Sequence, residues 1–148
     1  MEFVLPLSKN IVRIHEIALQ FSEGIAGILH PERLDAAVQR PRTYMAYDGE
    51  CTIHVVCALL LSSIARDHIF TDGNKRTALL TMLITYQIND INLNYSWVMN
   101  ERYTDLVLWV VNEKPDIKEI AIKLEELAEQ FKQSLSQRML GRLLGLAD

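Results

Sequence analysis

Along most of the chain, apolar residues recur every three or four positions, which is the spacing of one face of an α-helix. This pattern predicts six helices separated by short polar or proline-containing segments. The apolar positions that mark them are Ile11, Ile14, Ala18 and Phe21; Leu34, Ala37 and Val38; Ile53, Val56, Cys57, Leu60, Leu61 and Ile64; Ala78, Leu79, Met82, Leu83 and Tyr86; Tyr103, Leu106, Val107, Val110 and Val111; and Ile117, Ile120, Leu124, Leu127 and Phe131. The predicted fold is therefore an all-α bundle of about six helices.

One segment departs from the helical pattern. The second helix begins at Pro31, and we expect it to end before Pro41, because an internal proline removes a helical hydrogen bond. The following stretch, Thr43–Tyr47, is strand-like and precedes the turn pair Asp48–Gly49. A small β-hairpin therefore fits this segment better than a helix does.

Composition places the chain among ordinary globular proteins. It has 148 residues, of which 49% are hydrophobic and 23% charged, so a disordered chain is excluded. The formal net charge of −4 argues against a general nucleic-acid binder, which normally carries a basic excess. The longest nearly apolar runs, Val55–Ala65 and Ala78–Ile88, are shorter than the roughly 20 residues that cross a bilayer. We therefore expect a cytoplasmic protein that contacts neither a membrane nor nucleic acid directly.

The connector between the third and fourth helices has an unusual composition. Between two of the most hydrophobic segments, Arg66–Thr77 contains an imidazole, two carboxylates, a carboxamide and several cations. Gly73 lets the backbone turn or approach a ligand closely, and the helix that follows opens with free N–H groups that favour an anion. Lys75 and Arg76 add positive charge at the same place.

Two further residues of this connector suggest a reaction. Asp72 could hold Mg²⁺, a hard cation that prefers carboxylate and phosphate oxygens. The imidazole of His68 suits a general base near neutral pH. Each of these residues alone fits an ordinary polar connector, with Asp72 capping the fourth helix. The complete set at this spacing instead indicates phosphate chemistry on a nucleotide.

The segment His68–Arg76, which reads His-Ile-Phe-Thr-Asp-Gly-Asn-Lys-Arg, resembles the signature of the Fic/Doc family. It resembles most the Doc (death-on-curing) branch, whose motif is His-x-Phe-x-Asp-Ala/Gly-Asn-Lys-Arg. The Fic branch has a glycine at the position of Lys75 and a second arginine at the position of Leu79. The resemblance extends from about Ser8 to Leu127, and it includes the Ile14-His15-Glu16 triplet.

The resemblance implies a fold, an activity and partners. It implies a Fic/Doc-like catalytic domain over residues 1–128 with a small hairpin flap, best placed at about Arg40–Gly49. The family says nothing about residues 129–148, which we expect to form a C-terminal helical extension of the same domain. It implies the toxin of a type II toxin–antitoxin system, with a Phd-type antitoxin as partner. It also implies a protein kinase that transfers the ATP γ-phosphate to a threonine or serine hydroxyl of a translation factor, elongation factor Tu, and so inhibits translation.

The roles of the site residues follow from the same resemblance. His68 would be the catalytic base and Asp72 the Mg²⁺ ligand, while the remaining motif residues would bind the phosphates of ATP. Those nucleotide-binding residues are Gly73, Asn74, Lys75 and Arg76. Arg66 either joins the site or pairs with the carboxylate of a helix, and His15 is expected to be a hydrogen-bonded core histidine, with a supporting role behind the site as the alternative.

Two other functions remain open on the sequence. One is a Fic-type transferase that moves AMP to a protein hydroxyl, and the other is a catalytically silent binding or regulatory module. The apolar residues of the C-terminal helix, at helical spacing beyond residue 129, indicate a helix that either covers an apolar groove or associates with a second copy of the chain.

Overall fold

The computed structural model describes residues 2–21, 23–91, 93 and 101–145, and over these ranges it confirms the predicted all-α architecture. The described residues form six helices. They are α1 (Ser8–Leu19), α2 (Pro31–Tyr47), α3 (Ile53–Arg66), α4 (Asn74–Ile88), α5 (Glu101–Glu113) and α6 (Ile117–Leu143).

Helix α3 lies at the centre of the bundle. It packs against α2, α4, α5 and α6, and α1 packs against α4 from the other side. All six apolar positions predicted for the third helix are buried, and so are Ala58, Ala65 and both serines near its end. A helix that is apolar on nearly every side is stable only when other helices surround it. The loop that leaves α3 therefore starts from a helix that the other helices surround.

The prediction that the second helix ends before Pro41 is wrong, and so is the predicted hairpin at Arg40–Gly49. Helix α2 continues through Pro41 to Tyr47. Pro41 is buried and extends the stripe of Leu34, Ala37 and Val38 at helical spacing, so burial of its ring against the core offsets the lost hydrogen bond. The lost hydrogen bond is the one to the carbonyl of Ala37, and the guanidinium of Arg42 binds the neighbouring carbonyl of Val38 at 2.7 Å.

The turn pair Asp48–Gly49 is present, but it joins two helices rather than two strands. The amide of Glu50 donates to the Asp48 carboxylate at 2.9 Å, and the amide of Cys51 donates to the Asp48 carbonyl at 3.1 Å. Thr52 then caps α3 by accepting a hydrogen bond from the amide of Val55. The turn predicted at Asp48–Gly49 is therefore confirmed, but helices flank it instead of the predicted strands.

Within the described ranges, the one extended pairing lies next to the α3–α4 loop. The segment before α2 runs antiparallel to that loop, with a bridge between Ile28 and Phe70. The amide of Leu29 donates to the carbonyl of Ile69 at 2.8 Å, and the amide of Thr71 donates to the carbonyl of Gly27 at 3.0 Å. These bonds fix the loop from its outer side.

Phe21 lies just after α1, and Asp116 lies just before α6. Phe21, predicted to lie on the apolar face of the first helix, falls beyond α1 and is 61% exposed. The residue before α6, Asp116, accepts a hydrogen bond from the amide of Glu119 at 2.9 Å and so caps that helix. Helix α6 continues without a break across residue 129 to Leu143, and the side chain of Phe131 lies outside the described residues. No helix in the described part of the chain is long and apolar enough to span a membrane.

Candidate functional site

The α3–α4 loop and the first turn of α4 form one wall of a cleft of about 520 Å³. All six residues predicted to form the site line this cleft, which are His68, Asp72, Gly73, Asn74, Lys75 and Arg76. The opposite wall belongs to α5, and it is mostly aliphatic. Its members are Thr104, Val107, Leu108 and Val111. The cleft therefore has one polar, cationic wall and one apolar wall.

Gly73 is the residue at which the loop turns into α4. Its φ of 77° lies in the left-handed region, which side chains with a Cβ seldom adopt. A Cβ at this position would also stand 3.3 Å from the Leu19 side chain and 3.6 Å from Nε2 of His15. The backbone conformation favours glycine here, as the sequence predicted, and the packing leaves little spare room for a side chain.

The N-terminus of α4 is a concentration of positive charge and free donors. The first backbone N–H groups of a helix have no partner within the helix, and the helix dipole adds partial positive charge there. Lys75 is exposed beside them, and Arg76 is half-buried. Nη1 of Arg76 is buried and has no hydrogen-bond partner among the described residues. A buried guanidinium nitrogen without an acceptor is costly, and an anionic oxygen in the cleft would satisfy it.

Asp72 points its exposed carboxylate into the same cleft, and two backbone amides hold it there. Gly73 donates to Oδ1 at 2.8 Å, and Ile25 from the segment before α2 donates to Oδ2 at 3.3 Å. In the described part of the chain, no three His, Cys, Asp or Glu residues come together as a metal site. A magnesium ion at Asp72 would therefore depend on ligand phosphates and water for its other ligands, as magnesium at nucleotide sites usually does.

The side chain of Asn74 contacts the loop rather than the open cleft. Its Oδ1 accepts from the amide of Phe70, and its Nδ2 donates to the carbonyl of the same residue, both at 2.9 Å. This pair of bonds closes the loop on itself around Phe70, which is buried. The prediction that Asn74 binds a phosphate is untested, and its carboxamide already has both partners within the loop.

His15 of α1 supports the loop from behind. It is 3% exposed, its ring stacks on Phe70 with centroids 3.9 Å apart, and its Nε2 lies 2.7 Å from the carbonyl oxygen of Asp72. Because a carbonyl only accepts, Nε2 must carry the proton. The sequence analysis expected a buried, hydrogen-bonded histidine here, and the structure adds its partner, the backbone of the proposed metal ligand.

Arg66 does not pair with a helix carboxylate, which was one of its two predicted roles. Its Nε donates to the carbonyl of Val110 at 2.9 Å, and a terminal nitrogen donates to the carbonyl of Pro115 at 3.0 Å. The last carbonyls of a helix lack internal partners, so Arg66 satisfies the end of α5 and ties it to the end of α3. This bond also holds the aliphatic wall against the loop.

Sequence reasoning missed the residues that form the α5 wall and the amide of Ile25. The aliphatic residues Val107 and Val111 were assigned only to a helix face, because nothing in their spacing distinguishes a core from a cleft. A backbone amide has no sequence signature at all. Both features arise from contacts between segments that are far apart in the chain.

Comparison with known proteins adds independent information. The sequence profile described as the Fic/DOC family matches residues 6–85, more than half of the chain. The chain is 31% identical over 85 residues to "Protein kinase doc" of Escherichia phage P1, and the aligned segment covers 57% of this chain and 68% of that protein. It is 36% identical over 96 residues to "Toxin Doc" of Mycolicibacterium smegmatis, and the aligned segment covers 64% of this chain and 73% of that protein.

Proposed function

Because the chain belongs to the Fic/Doc family, we propose that it is a Doc-like toxin that acts as an ATP-dependent protein kinase. In this proposal it transfers the γ-phosphate of ATP to a threonine or serine hydroxyl of a translation factor and so inhibits translation. The relative from phage P1 is named a protein kinase, and the relative from Mycolicibacterium smegmatis is named a toxin.

One observation supports the proposal more than any other. Nη1 of Arg76 is buried at the start of α4, beside Lys75 and the first amides of the helix, and no described residue accepts a hydrogen bond from it. Polyphosphate oxygens offer the several negative acceptors that such an arrangement needs. A ligand without acceptor atoms would leave the guanidinium unsatisfied, and an anionic acceptor binds it more strongly than a neutral one.

The remaining site residues fit the parts of a phosphoryl transfer. His68 would accept the proton of the attacking hydroxyl, and the imidazole is exposed in the cleft where a protein substrate can reach it. Lys75 and Arg76 would hold the γ-phosphate and stabilise the charge that develops on its oxygens. Asp72 would hold magnesium, which when bound neutralises charge between phosphates.

Lys75 and Leu79 support kinase activity over AMP transfer. A lysine occupies the position where the Fic branch has a glycine, and its bulk and charge favour the most negative end of the nucleotide, the γ-phosphate. Leu79 is buried and lines the cleft with methyl groups where the Fic branch has an arginine. The cleft thus lacks at this position the guanidinium that would hold ATP in the reverse direction.

Partners belong to the same proposal. A Phd-type antitoxin would inhibit the toxin, and elongation factor Tu would be the target. The support for both is the resemblance to the Doc branch and the name of the related toxin.

The test is label transfer from ATP. The protein is incubated with bacterial lysate and ATP labelled at either the α or the γ phosphate, with His68→Ala as the inactive control. The proposal expects γ label on a protein near the mass of elongation factor Tu, and none with His68→Ala. Transfer of the α label would identify an AMP transferase. If the protein is toxic to bacteria but transfers neither label, it is a binding module.

A further inference from the structure

His68 occupies an unusual backbone position. Helix α3 ends at Arg66, Asp67 is its C-cap, and His68 follows with a φ of 49° in the left-handed region. This position after a helix is usually taken by glycine, because a Cβ is unfavourable there. Asp90 and Lys114 adopt the same conformation after α4 and α5, and at each place a side chain costs free energy that other contacts offset.

At His68, the contacts come from α2. The guanidinium of Arg33 donates to the backbone carbonyl of Asp67 at 2.8 Å. Nη1 of Arg40 donates to the carboxylate of Asp67 at 2.8 Å and to the hydroxyl of Ser63, in the last turn of α3, at 2.5 Å. Two arginines therefore bind the backbone and the side chain of the residue directly before His68.

The charge of Asp67 bears on why Arg40 is paired with it. A carboxylate at the C-terminal end of a helix is unfavourable, because the helix dipole places partial negative charge there. Arg40 neutralises that carboxylate, yet the pair is partly exposed, with 48% of the Arg40 side chain and 27% of the Asp67 side chain accessible. Such pairs contribute little to overall stability, so stability alone does not explain why the pair is present.

We propose that Arg33, Arg40 and Asp67 are positioning residues that hold His68 in its left-handed conformation and aim its imidazole into the cleft. None of the three lines the cleft, whereas His68 does. They act on the reaction only through His68. The inference rests on the proposed function in one respect, the role of His68 as the base.

The first experiment measures the steady-state kinetics of γ-phosphate transfer. Arg40→Ala and Asp67→Asn should each lower kcat about tenfold or more, because a misplaced base costs rate, while KM for ATP stays within about twofold. Arg40→Lys should recover most of the rate, since both bonds of Arg40 come from one nitrogen that a lysine can replace. Arg13→Ala is the matched control, because it breaks an exposed Arg–Glu pair of the same 2.8 Å length on α1 and should leave kcat unchanged.

The second experiment needs no activity, so it separates this inference from the proposed function. Thermal unfolding is measured for His68→Gly and His68→Ala, each alone and combined with Arg40→Ala. If Arg40 holds the backbone at positive φ, His68→Gly should melt a few degrees above His68→Ala, and this gap should shrink when Arg40 is removed. The same gap with and without Arg40, or an unchanged kcat in Arg40→Ala, would overturn the inference. Absence of any phosphate transfer by the unsubstituted protein would overturn the proposed function and leave the unfolding result valid.

Discussion

Asp72 has two separable parts, a backbone carbonyl bound by His15 and a carboxylate held by the amides of Ile25 and Gly73. A side-chain substitution changes only the second part. Asp72→Ala should therefore leave the loop in place and remove the proposed ligand for magnesium.

We expect Asp72→Ala to lower γ-phosphate transfer by about 10²-fold or more, because charge neutralisation at the phosphates is a large term in such reactions. Magnesium-dependent binding of ATP should weaken in parallel, which isothermal titration with and without magnesium would measure. Asp72→Asn is the matched variant, since its amide keeps the size but not the charge. Normal activity in both variants would mean that this carboxylate does not hold the metal.

Lys75 is exposed at the first turn of α4, and its side chain makes no hydrogen bond or ion pair with the residues that the structure describes. Lys75→Gly should abolish γ-phosphate transfer and cost little stability, about 1 kcal/mol for a glycine near a helix start. Adding Leu79→Arg should supply the arginine of the Fic branch and allow some AMP transfer. Labelled ATP distinguishes the two products, and full γ transfer by Lys75→Gly would show that Lys75 does not select the phosphate.

Helix α1 contributes to the site through one side chain, although it contains none of the motif. The stack of His15 on Phe70 and its bond to the Asp72 carbonyl join α1 to the loop that precedes α4. Gly73 lies beside the same imidazole, since a Cβ there would be in van der Waals contact with it at 3.6 Å. The position of the loop is thus set by a helix more than 50 residues earlier in the chain.

Substitution of His15 separates the stack from the hydrogen bond. His15→Phe keeps a ring against Phe70 and leaves the carbonyl of Asp72 without its donor, which should cost about 1–3 kcal/mol of unfolding free energy. Phosphate transfer should fall as well, because the loop loses a support. His15→Gln retains a donor and should recover part of the activity lost in His15→Phe. Equal activity of wild type and His15→Phe would show that the bond does not shape the site.

The molecule as a whole is organised around α3, and its two cysteines report on that organisation. Cys57 is fully buried, and burial raises the pKa of its thiol well above the usual value. Cys51 lies just before α3 and is partly exposed, and burial together with the carboxylate of Asp48 raises its pKa less strongly. Thiolates are the reactive form, so both the deeper burial and the more strongly raised pKa of Cys57 should make it the less reactive of the two thiols.

Labelling with a thiol reagent at neutral pH should therefore modify Cys51 slowly and leave Cys57 unmodified in the native protein. Cys57 should react only when the bundle opens, so its rate should rise steeply with denaturant. Both raised pKa values predict faster labelling as the pH increases. Cys51→Ser isolates the buried thiol, and rapid modification of Cys57 in that variant under native conditions would contradict its central position.

The sequence alone determined the features that depend on neighbouring residues. The stripes of α3 and α4, the beginning of α4 at Asn74 and the need for glycine at position 73 are local, because helical spacing and backbone conformation involve only a few adjacent residues. The candidate site was found for the same reason. Its residues lie within the nine positions His68–Arg76, so folding a single loop brings them together.

Only the tertiary structure decided the features that join distant segments. Helix α2 continues through Pro41 because the proline ring is buried in the bundle, and a local rule about proline cannot anticipate that contact. The bonds of His15 to the Asp72 backbone, of Arg66 to the end of α5, and of Arg40 to Asp67 connect residues 27 to 57 positions apart. These are common polar residues, and the packing of the helices decides which partner each of them binds. The sequence therefore determines the reactive groups, and the tertiary structure determines their orientation.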